Sequence, residues 1–542
     1  MSVFQDLAGR WDGLLRRRTP WMNYWQELGD VLLPNRADFT RSRSEGEGRE
    51  NQIYDGTPRL ALRDLASTLD GLIKPKTNNW FDPAIDDDLT DDDTVKRWYE
   101  VVRERMWKAI YRNDARFIQR SGEIDLNLAC FGWGVLWIQQ NRARDGLLFR
   151  SFHNAQCAID ENEDGIIDTL GIQETFSARQ AESIYKRANK APSGAVLQAL
   201  REPKAEQKFP FVQIVLPRED RDSALIDVRG MAFASAVLDL KGETIVAETG
   251  FPEFPAAIPR WDTAPGEVYA RSPGMMALPD AKTLQAMGKT LLVGGQRAVD
   301  PPIWVLNDSV MSPLRTFPGG ITVLDNSDTT GSPVGAFPVS TNIPLGREMQ
   351  NDYRSKVEAA FFKNVFALPI QGRQMTATEI LERKEEFIRA IGPVFGRLEA
   401  DYSGHIVERV FNIMERAGAF PPRPQGLQNR KVAFRFQSPI QQARKQVEIA
   451  GLSRSLELLM PLAQTQPEIM DNFDGDQIAR DVPEWGGMPS RWLRPKDIVA
   501  NIRKGKADAA MSDQVTAAME PTTKAVRNLA DARAKTAVAV PA

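Results

Sequence analysis

Three stretches carry residue types at spacings that could do chemistry. The acidic run Asp86-Asp87-Asp88, continuing through Asp91-Asp92-Asp93, is the kind of carboxylate cluster that holds Mg2+ or Ca2+ for two-metal phosphoryl transfer. No histidine or further acidic motif nearby completes such a site. The run also precedes a helix predicted over Val95 to Tyr111, where negative charge complements the helix dipole. Asp160, Asn162, Asp164 and Gly165 copy the first half of an EF-hand loop, but the twelfth position is Gly171, where a bidentate glutamate is needed. Asp164-Gly165 therefore reads as a hairpin turn. Gly288-Lys289-Thr290 ends like a P-loop, yet Thr283 stands where that motif requires glycine, and Leu284-Gln285-Ala286-Met287 before it reads as helix rather than a glycine-rich turn. The two histidines, His153 and His405, lie far apart in sequence, and Cys130 and Cys157 lack zinc-ligand spacing and read as reduced, buried thiols. The expectation is no catalytic residue, no metal and no cofactor, with a metal-dependent nuclease on the acidic run as the enzyme alternative.

The elements that must position these residues are mostly helices, giving an α+β class that is predominantly helical. The chain is organised around Tyr269 to Pro369, which reads as out, turn and back. The outward helix starts after Pro279, carries Ala281, Leu284, Met287 and Leu291 on one face, and ends near Gly294-Gly295. The return helix, Gly346 to Phe366, carries Met349, Tyr353, Val357, Ala360 and Phe361 on one side and Arg347, Glu348, Asp352, Arg354, Lys356 and Glu358 on the other. Between them, Ile303-Trp304-Val305-Leu306 and Ile321-Thr322-Val323-Leu324 read as short strands, with the turn Phe317-Pro318-Gly319-Gly320 before the second. A helix of roughly 20 residues is on the order of 30 Å long, so the pair forms a stalk whose apolar stripes call for neighbours, most simply copies of the same chain around an axis.

The rest of the chain supplies the surroundings. Phe4 to Leu15 and Trp21 to Leu32 read as two amphipathic helices stopped by Pro34; Asn35 to Asn51, with Arg41, Arg43 and Arg49, reads as a solvated loop. Thr57 and Pro58 open a helix to Ile73, as N-cap and first residue. A helix over Ala115 to Leu128 leads to Phe131-Gly132-Trp133-Gly134, after which Val135 to Ile138 and Leu147 to Phe149 pair across Arg144-Asp145-Gly146. Residues 175–200 read as helical and 209–260 as antiparallel strands. After the return helix comes a loop over Ala367 to Met375, then a capping box at Thr376 to Glu379, and a long helix kinked at Gly392-Pro393 that ends at Gly418. Val432 to Phe436 reads as a strand, Pro439 to Leu462 as helix, 467–495 as turn-rich, and Ala507 to Ala539 as an Ala-rich, helix-prone tail.

Several of these motifs carry a resemblance. Tyr269-Ala270-Arg271-Ser272-Pro273-Gly274, Ala277-Leu278-Pro279-Asp280 with Lys282-Thr283-Leu284, and Ala298-Val299-Asp300-Pro301-Pro302 resemble portal proteins, or head-to-tail connectors, of short-tailed bacteriophages. Ile53-Tyr54-Asp55-Gly56-Thr57, Trp80-Phe81 and Phe131-Gly132-Trp133-Gly134 fit the same family in the same order, so that matches span Trp21 to Phe436. The resemblance implies a wing over 1–268, stem helices over 269–298 and 344–366, a clip over 299–343, a tunnel loop over 367–375, a long kinked helix with a return strand to the wing over 376–437, and a crown over 438–542. It implies Gln371, Arg373 and Gln374 facing a DNA channel, Leu284, Met287, Leu291, Tyr353 and Phe361 packing the stem, and Ile303, Trp304, Val305 and Phe317 forming the clip's assembly surface. It further implies a homo-oligomeric ring, of twelve copies, at one capsid vertex. The implied partners are double-stranded DNA in transit, the terminase large subunit, major capsid and scaffolding proteins, and tail adaptors. The place is the virion, with assembly in the host cytoplasm. A ring-forming adaptor that passes no DNA is the alternative within the structural class.

Composition bounds these readings. At 542 residues, several sub-structures are expected, and 42% hydrophobic with 26% charged residues is ordinary for a globular protein. No run of about 18 apolar residues exists, and Met1 to Arg18 has no apolar signal core, which argues against a membrane or secreted protein. A net charge of −3 argues against a protein whose main task is to grip nucleic acid. It suits a conduit, since each phosphate neutralised by Lys or Arg adds affinity and would hold DNA in place.

Overall fold

A computed structural model of the chain describes residues 2–42, 44, 46–50, 53–76, 79–84, 93–201, 207–222, 224–225, 227–307, 312–324, 334–338, 342–363, 392, 394–428, 430–436, 451–459, 461, 473–485, 492–494, 498–511 and 527–530. These fall into two compact units, one built of 1–82, 103–420 and 433–441, the other of 83–102, 421–432 and 442–542.

The first unit opens with α1, Val3–Leu32, a single helix where two were expected. Proline removes only one ladder bond, and the buried series Trp11, Leu14, Arg18, Trp25, Leu28 and Leu32 runs straight past Pro20, so packing on both sides outweighs that loss. Ser2 and Gln5 close a reciprocal capping box at its start. Next comes α2, Thr57–Ile73, whose first N–H bonds the Asp55 carboxylate at 2.9 Å; its N-cap is Gly56, one residue before the Thr57 expected, and Thr57 is its first residue. A strand β1, Phe81–Ala84, and a helix α3, Asp93–Ile110, lead into α4, Phe117–Phe131. Gly132, at φ +87°, ends α4 in the left-handed region that glycine tolerates.

Two sheets follow. In the smaller, β2 (Val135–Gln140) pairs antiparallel with β3 (Leu147–Phe152) and with the two-residue β9 (Ala256–Ala257). The larger is an antiparallel five-stranded sheet in the order β4 (Cys157–Glu161), β5 (Ile167–Ser177), β6 (Lys208–Pro217), β7 (Phe233–Asp239), β8 (Thr244–Phe251). Side-chain alternation along β6 sorts its two faces: Phe209 and Phe211 pack on α5 (Ala178–Arg187) and α6 (Gly194–Arg201), whereas Val212 and Ile214 pack on Trp11 and Leu14 of α1. The region 175–200 is therefore strand as far as Ser177 and then two short helices, the first opened by a capping box of Ser177 and Gln180. Asp160 to Gly165 lies at the β4–β5 hairpin, with Gly165 at φ +74° and the Asn162 side chain accepting from Asp164 N and Ile166 N.

The two long helices are α7, Pro273–Val299, and α8, Ile343–Ala360, packed against each other. α7 starts earlier and ends later than the sequence suggested: Ser272 caps it by accepting from Met275 N at 3.0 Å, and it passes through both Pro279 and Gly294-Gly295. Between them lie β10 (Ile303–Leu306), β11 (Ile321–Leu324) and a strand not foreseen, β12 (Val334–Ala336). They form one sheet in which β10 is central, parallel to β11 and antiparallel to β12. The main core gathers Trp25, Leu65, Leu128, Leu284 and Val357 from α1, α2, α4, α7 and α8, together with Trp133, Tyr269, Phe361 and Leu398 from the segments that flank the helices.

Near the end of this unit a π-helical turn, Glu399–Gly404, joins residues 394–398 to a helix α9, His405–Arg416, which stops at Gly418 with φ +66°. A strand β13, Ala433–Phe436, pairs with β1. In the second unit, Trp98 Nε1 donates to Pro421 O at 3.0 Å. There a helix α10, Gly475–Trp485, replaces part of the expected turn-rich stretch, begun by Asp474, whose side chain accepts from Asp476 N and Gln477 N. Residues 451–459, 498–511 and 527–530 are helical. Among the described residues no helix is long and apolar enough to cross a membrane.

Candidate functional site

One group of buried polar side chains, including Asp55 and Gln350, lies where the α7–α8 hairpin meets the core. Tyr54-Asp55-Gly56-Thr57 lies against both helices. Gln285 of α7 accepts from Tyr54 N at 2.7 Å and Asp55 N at 2.9 Å through Oε1, and donates to Asp55 O at 2.7 Å through Nε2. From α8, Gln350 Nε2 reaches an Asp55 carboxylate oxygen at 3.0 Å and Arg354 Nε at 2.8 Å. The Asp55 side chain is 2% exposed. Burial alone would raise its pKa, but the bonds from Thr57 and Arg354 together outweigh it and hold the carboxyl below its ordinary value. Asp55 thus joins three helices, α2 and α8 through its carboxylate and α7 through its backbone, and Gly288 lets the Tyr54 side chain come within 3.0 Å of where a Cβ would stand.

A second joint sets where α7 begins. A Cβ on Gly132 would run into the Ala270 carbonyl, and one on Gly274 would lie 2.8 Å from the Cys130 carbonyl. Ser272 Oγ donates to that same Cys130 carbonyl at 2.7 Å, and Trp261 N donates to Gly132 O at 2.8 Å. Trp25, Trp133 and Tyr269 meet with ring centroids 5.1 to 5.7 Å apart. The motifs Phe131-Gly132-Trp133-Gly134 and Tyr269 to Gly274, more than a hundred residues apart, are two halves of one contact.

A third cluster went unseen in the sequence. Lys74, closing α2, donates to both carboxylate oxygens of Asp125 at 2.8 Å, with both side chains almost wholly buried. Tyr402, in the π-turn, places its OH 3.5 Å from Lys74 Nζ and its ring 4.5 Å below it. Desolvation raises the Asp125 carboxyl to about 6 despite the ammonium beside it. The partners are 51 and 328 residues apart, and no local pattern announces them.

The expected site residues are placed as follows. Leu284 and Phe361 are fully buried within the chain's own core, so these two stripe positions need no neighbouring copy to cover them; Met287, Leu291 and Tyr353 are half-buried. Ile303, Trp304 and Val305 are half-buried in β10, with the Trp304 ring lying where a Cβ of Gly335 would be, while Phe317 is 56% exposed. Gln371, Arg373 and Gln374 lie outside the described residues, as do the Thr376–Glu379 capping box, Pro393 and Asp86 to Asp92 of the acidic run. Gly288, Lys289 and Thr290 are helical, in the middle of α7. Both cysteines are free and buried, and burial pushes both thiols up. His405 Nε2 lies 3.0 Å from Phe254 O and burial lowers its pKa; His153 bonds Arg36 O at 2.9 Å and accepts from Ala155 N at 3.0 Å through Nδ1. Both imidazoles are thus engaged with backbone. Among the described residues no group of three or more His, Cys, Asp or Glu side chains is arranged to hold a metal ion.

Buried polar groups thus secure one end of a long helical hairpin to a sheet-and-helix body. The chain belongs to the family of bacteriophage head to tail connecting proteins, whose model matches residues 4–493. It is 28% identical over 522 residues to a probable portal protein of Bordetella phage BPP-1, covering 94% of this chain and 92% of that one. It is likewise 28% identical over 527 residues to the portal protein of Salmonella phage epsilon15, covering 96% and 94%. A chain of the virion of a native gene transfer agent (GTA) particle aligns at 10% identity and a TM-score of 0.37 over 82% of this chain and 95% of its own, a likeness too slight to carry argument. The protein is a connector of the phage head–tail junction, a component of the virion and not an enzyme.

Proposed function

We propose that copies of this chain form a ring at one capsid vertex, through which double-stranded DNA is packaged and later ejected. The observation that carries the reading is the hairpin itself: α7 and α8 are rooted in the core by Asp55, while their far ends and the attached sheet leave Leu292, Val299, Phe317, Ile321, Leu345 and Met349 exposed. Apolar residues standing uncovered at one end of a rooted element call for an assembly. On this reading α7 and α8 are the stem, 299–343 the clip, 1–268 the wing with the strand near 433 returning to it, 367–375 the tunnel loop and 438–542 the crown. The ring has twelve copies and assembles in the host cytoplasm. It docks the terminase large subunit, sits among capsid and scaffolding proteins, and offers the clip to tail adaptors.

A net charge of −3 fits a conduit that does not grip its cargo. Gln371, Arg373 and Gln374 face the channel, where one arginine per copy makes a single positive girdle. Arg373→Ala leaves ring assembly intact and alters retention of packaged DNA; loss of assembly instead would make the residue structural and end the channel assignment. Class averages of negatively stained particles test the whole reading: twelve-fold rings with an open centre are expected. Rings with a closed centre would favour an adaptor that passes no DNA, and cleavage of plasmid in Mg2+ would reopen the nuclease.

A further inference from the structure

The hairpin exposes apolar residues on two opposite sides. Gly346 of α8 faces Leu291 of α7, because a Cβ added at Gly346 would stand 2.5 Å from Leu291 Cδ2. This contact fixes the plane containing the two axes. At 3.6 residues per turn, Leu292 lies about 100° around α7 from that contact, and Leu345 about 100° around α8. Because the helices run antiparallel, one step forward on α7 and one step back on α8 rotate in the same sense. The two rotations start from opposite directions, so they carry Leu292 and Leu345 to opposite sides of the plane. Val299 follows Leu292 by seven residues and shares its side; Met349 follows Leu345 by four and shares the other. All four are exposed: Leu292 53%, Val299 87%, Leu345 52% and Met349 47%.

What covers the α7 side nearer the root is also on the structure. Gln285, seven residues before Leu292 and therefore on the same side, is occupied by the backbone of Tyr54 and Asp55. Gly288, four residues before Leu292 and also on that side, lies against Tyr54, so that cover ends one helical turn short of Leu292. The same side of one helix is thus filled by the chain's own loop at its base and left uncovered further out.

We infer that the seam between neighbouring copies is heterologous and runs through these two sides, with Leu292 and Val299 of one copy against Leu345 and Met349 of the next. The occupant is a second copy because a closed ring requires two different, opposed patches on every subunit, whereas a single bound partner requires one. This inference rests on the ring reading above and names the surfaces that build it.

Cysteine pairing tests it. The native thiols Cys130 and Cys157 are buried, so the background is low. Chains carrying Leu292→Cys are mixed with chains carrying Met349→Cys, assembled, and treated with a short bismaleimide. Covalent dimers are expected from this mixture and not from a mixture of Leu345→Cys with Met349→Cys. A single chain carrying both Leu292→Cys and Met349→Cys should give a ladder of covalent multimers. Rings that form normally but give no Leu292–Met349 cross-link, or cross-link only through one side, overturn the seam and leave the ring standing. An unsubstituted chain that sediments as a monomer under assembly conditions overturns the ring reading, and the seam with it.

Discussion

Two buried carboxylates behave oppositely, and each makes a prediction. Asp55 is held below its ordinary pKa of 3.8, so its ionised form is the one the fold prefers. Stability from Asp55 is therefore present above pH 3.8 and is lost as pH falls through the lower, folded value. Asp55→Asn keeps the shape but weakens the bond to Arg354; a cost of about 1–3 kcal/mol in denaturant unfolding is expected, with the acid-side loss of stability correspondingly smaller. Asp125 runs the other way. Its folded pKa is raised from 3.8 to about 6, so the native state holds a proton that the unfolded state has lost across that window. Its contribution is fully present below pH 3.8 and is lost as pH rises through 6, and Asp125→Asn should flatten the slope of stability against pH there. Lys74→Met alone leaves Asp125 buried without its ammonium and should cost about 3–5 kcal/mol, whereas Lys74→Met combined with Asp125→Leu should recover most of that. Equal losses in the single and double variants would count against a coupled pair.

Among elements, α7 and α8 separate what packs at home from what is left over. Leu284→Asp places a carboxylate in the chain's own core and should destabilise the monomer by about 3–5 kcal/mol. Leu292→Asp, at an exposed position, should change monomer stability by less than about 0.5 kcal/mol while abolishing assembly. Denaturant melts of the dilute chain and sedimentation of the concentrated one read the two effects apart; Glu348→Gln, on the charged exposed face, should change neither. Gly346→Val should force Leu291 aside and splay the hairpin. The helices, the parallel placement of apolar residues on their faces, and the short strands at 303–306 and 321–324 were legible because helical and strand periods are local properties of sequence. Prolines misled twice, at Pro20 and Pro279, where continuous burial on both sides outweighs one missing hydrogen bond. The joints were illegible for the opposite reason. Tyr54-Asp55-Gly56-Thr57 was visible as a motif, but nothing near it says that Gln285, Gln350 and Arg354 complete it. Likewise the π-turn reveals itself only through Tyr402 reaching Lys74.

For the whole molecule, the decisive feature is that Leu284, Val357 and Phe361, the inner stripe of the hairpin, are already buried by the chain's own helices and need no neighbour. Folding and assembly are then separate equilibria with different dependences on concentration. The melting temperature of the dilute chain should not move with dilution, whereas the fraction in rings should rise steeply with concentration, and coincident shifts of both would show that the chain cannot stand alone. A subunit of this kind is a reagent that keeps. It can accumulate fully folded at low concentration, wait for a nucleus, and be drawn from that reserve one copy at a time, so that the number of rings begun is set by nucleation rather than by the rate at which chains fold.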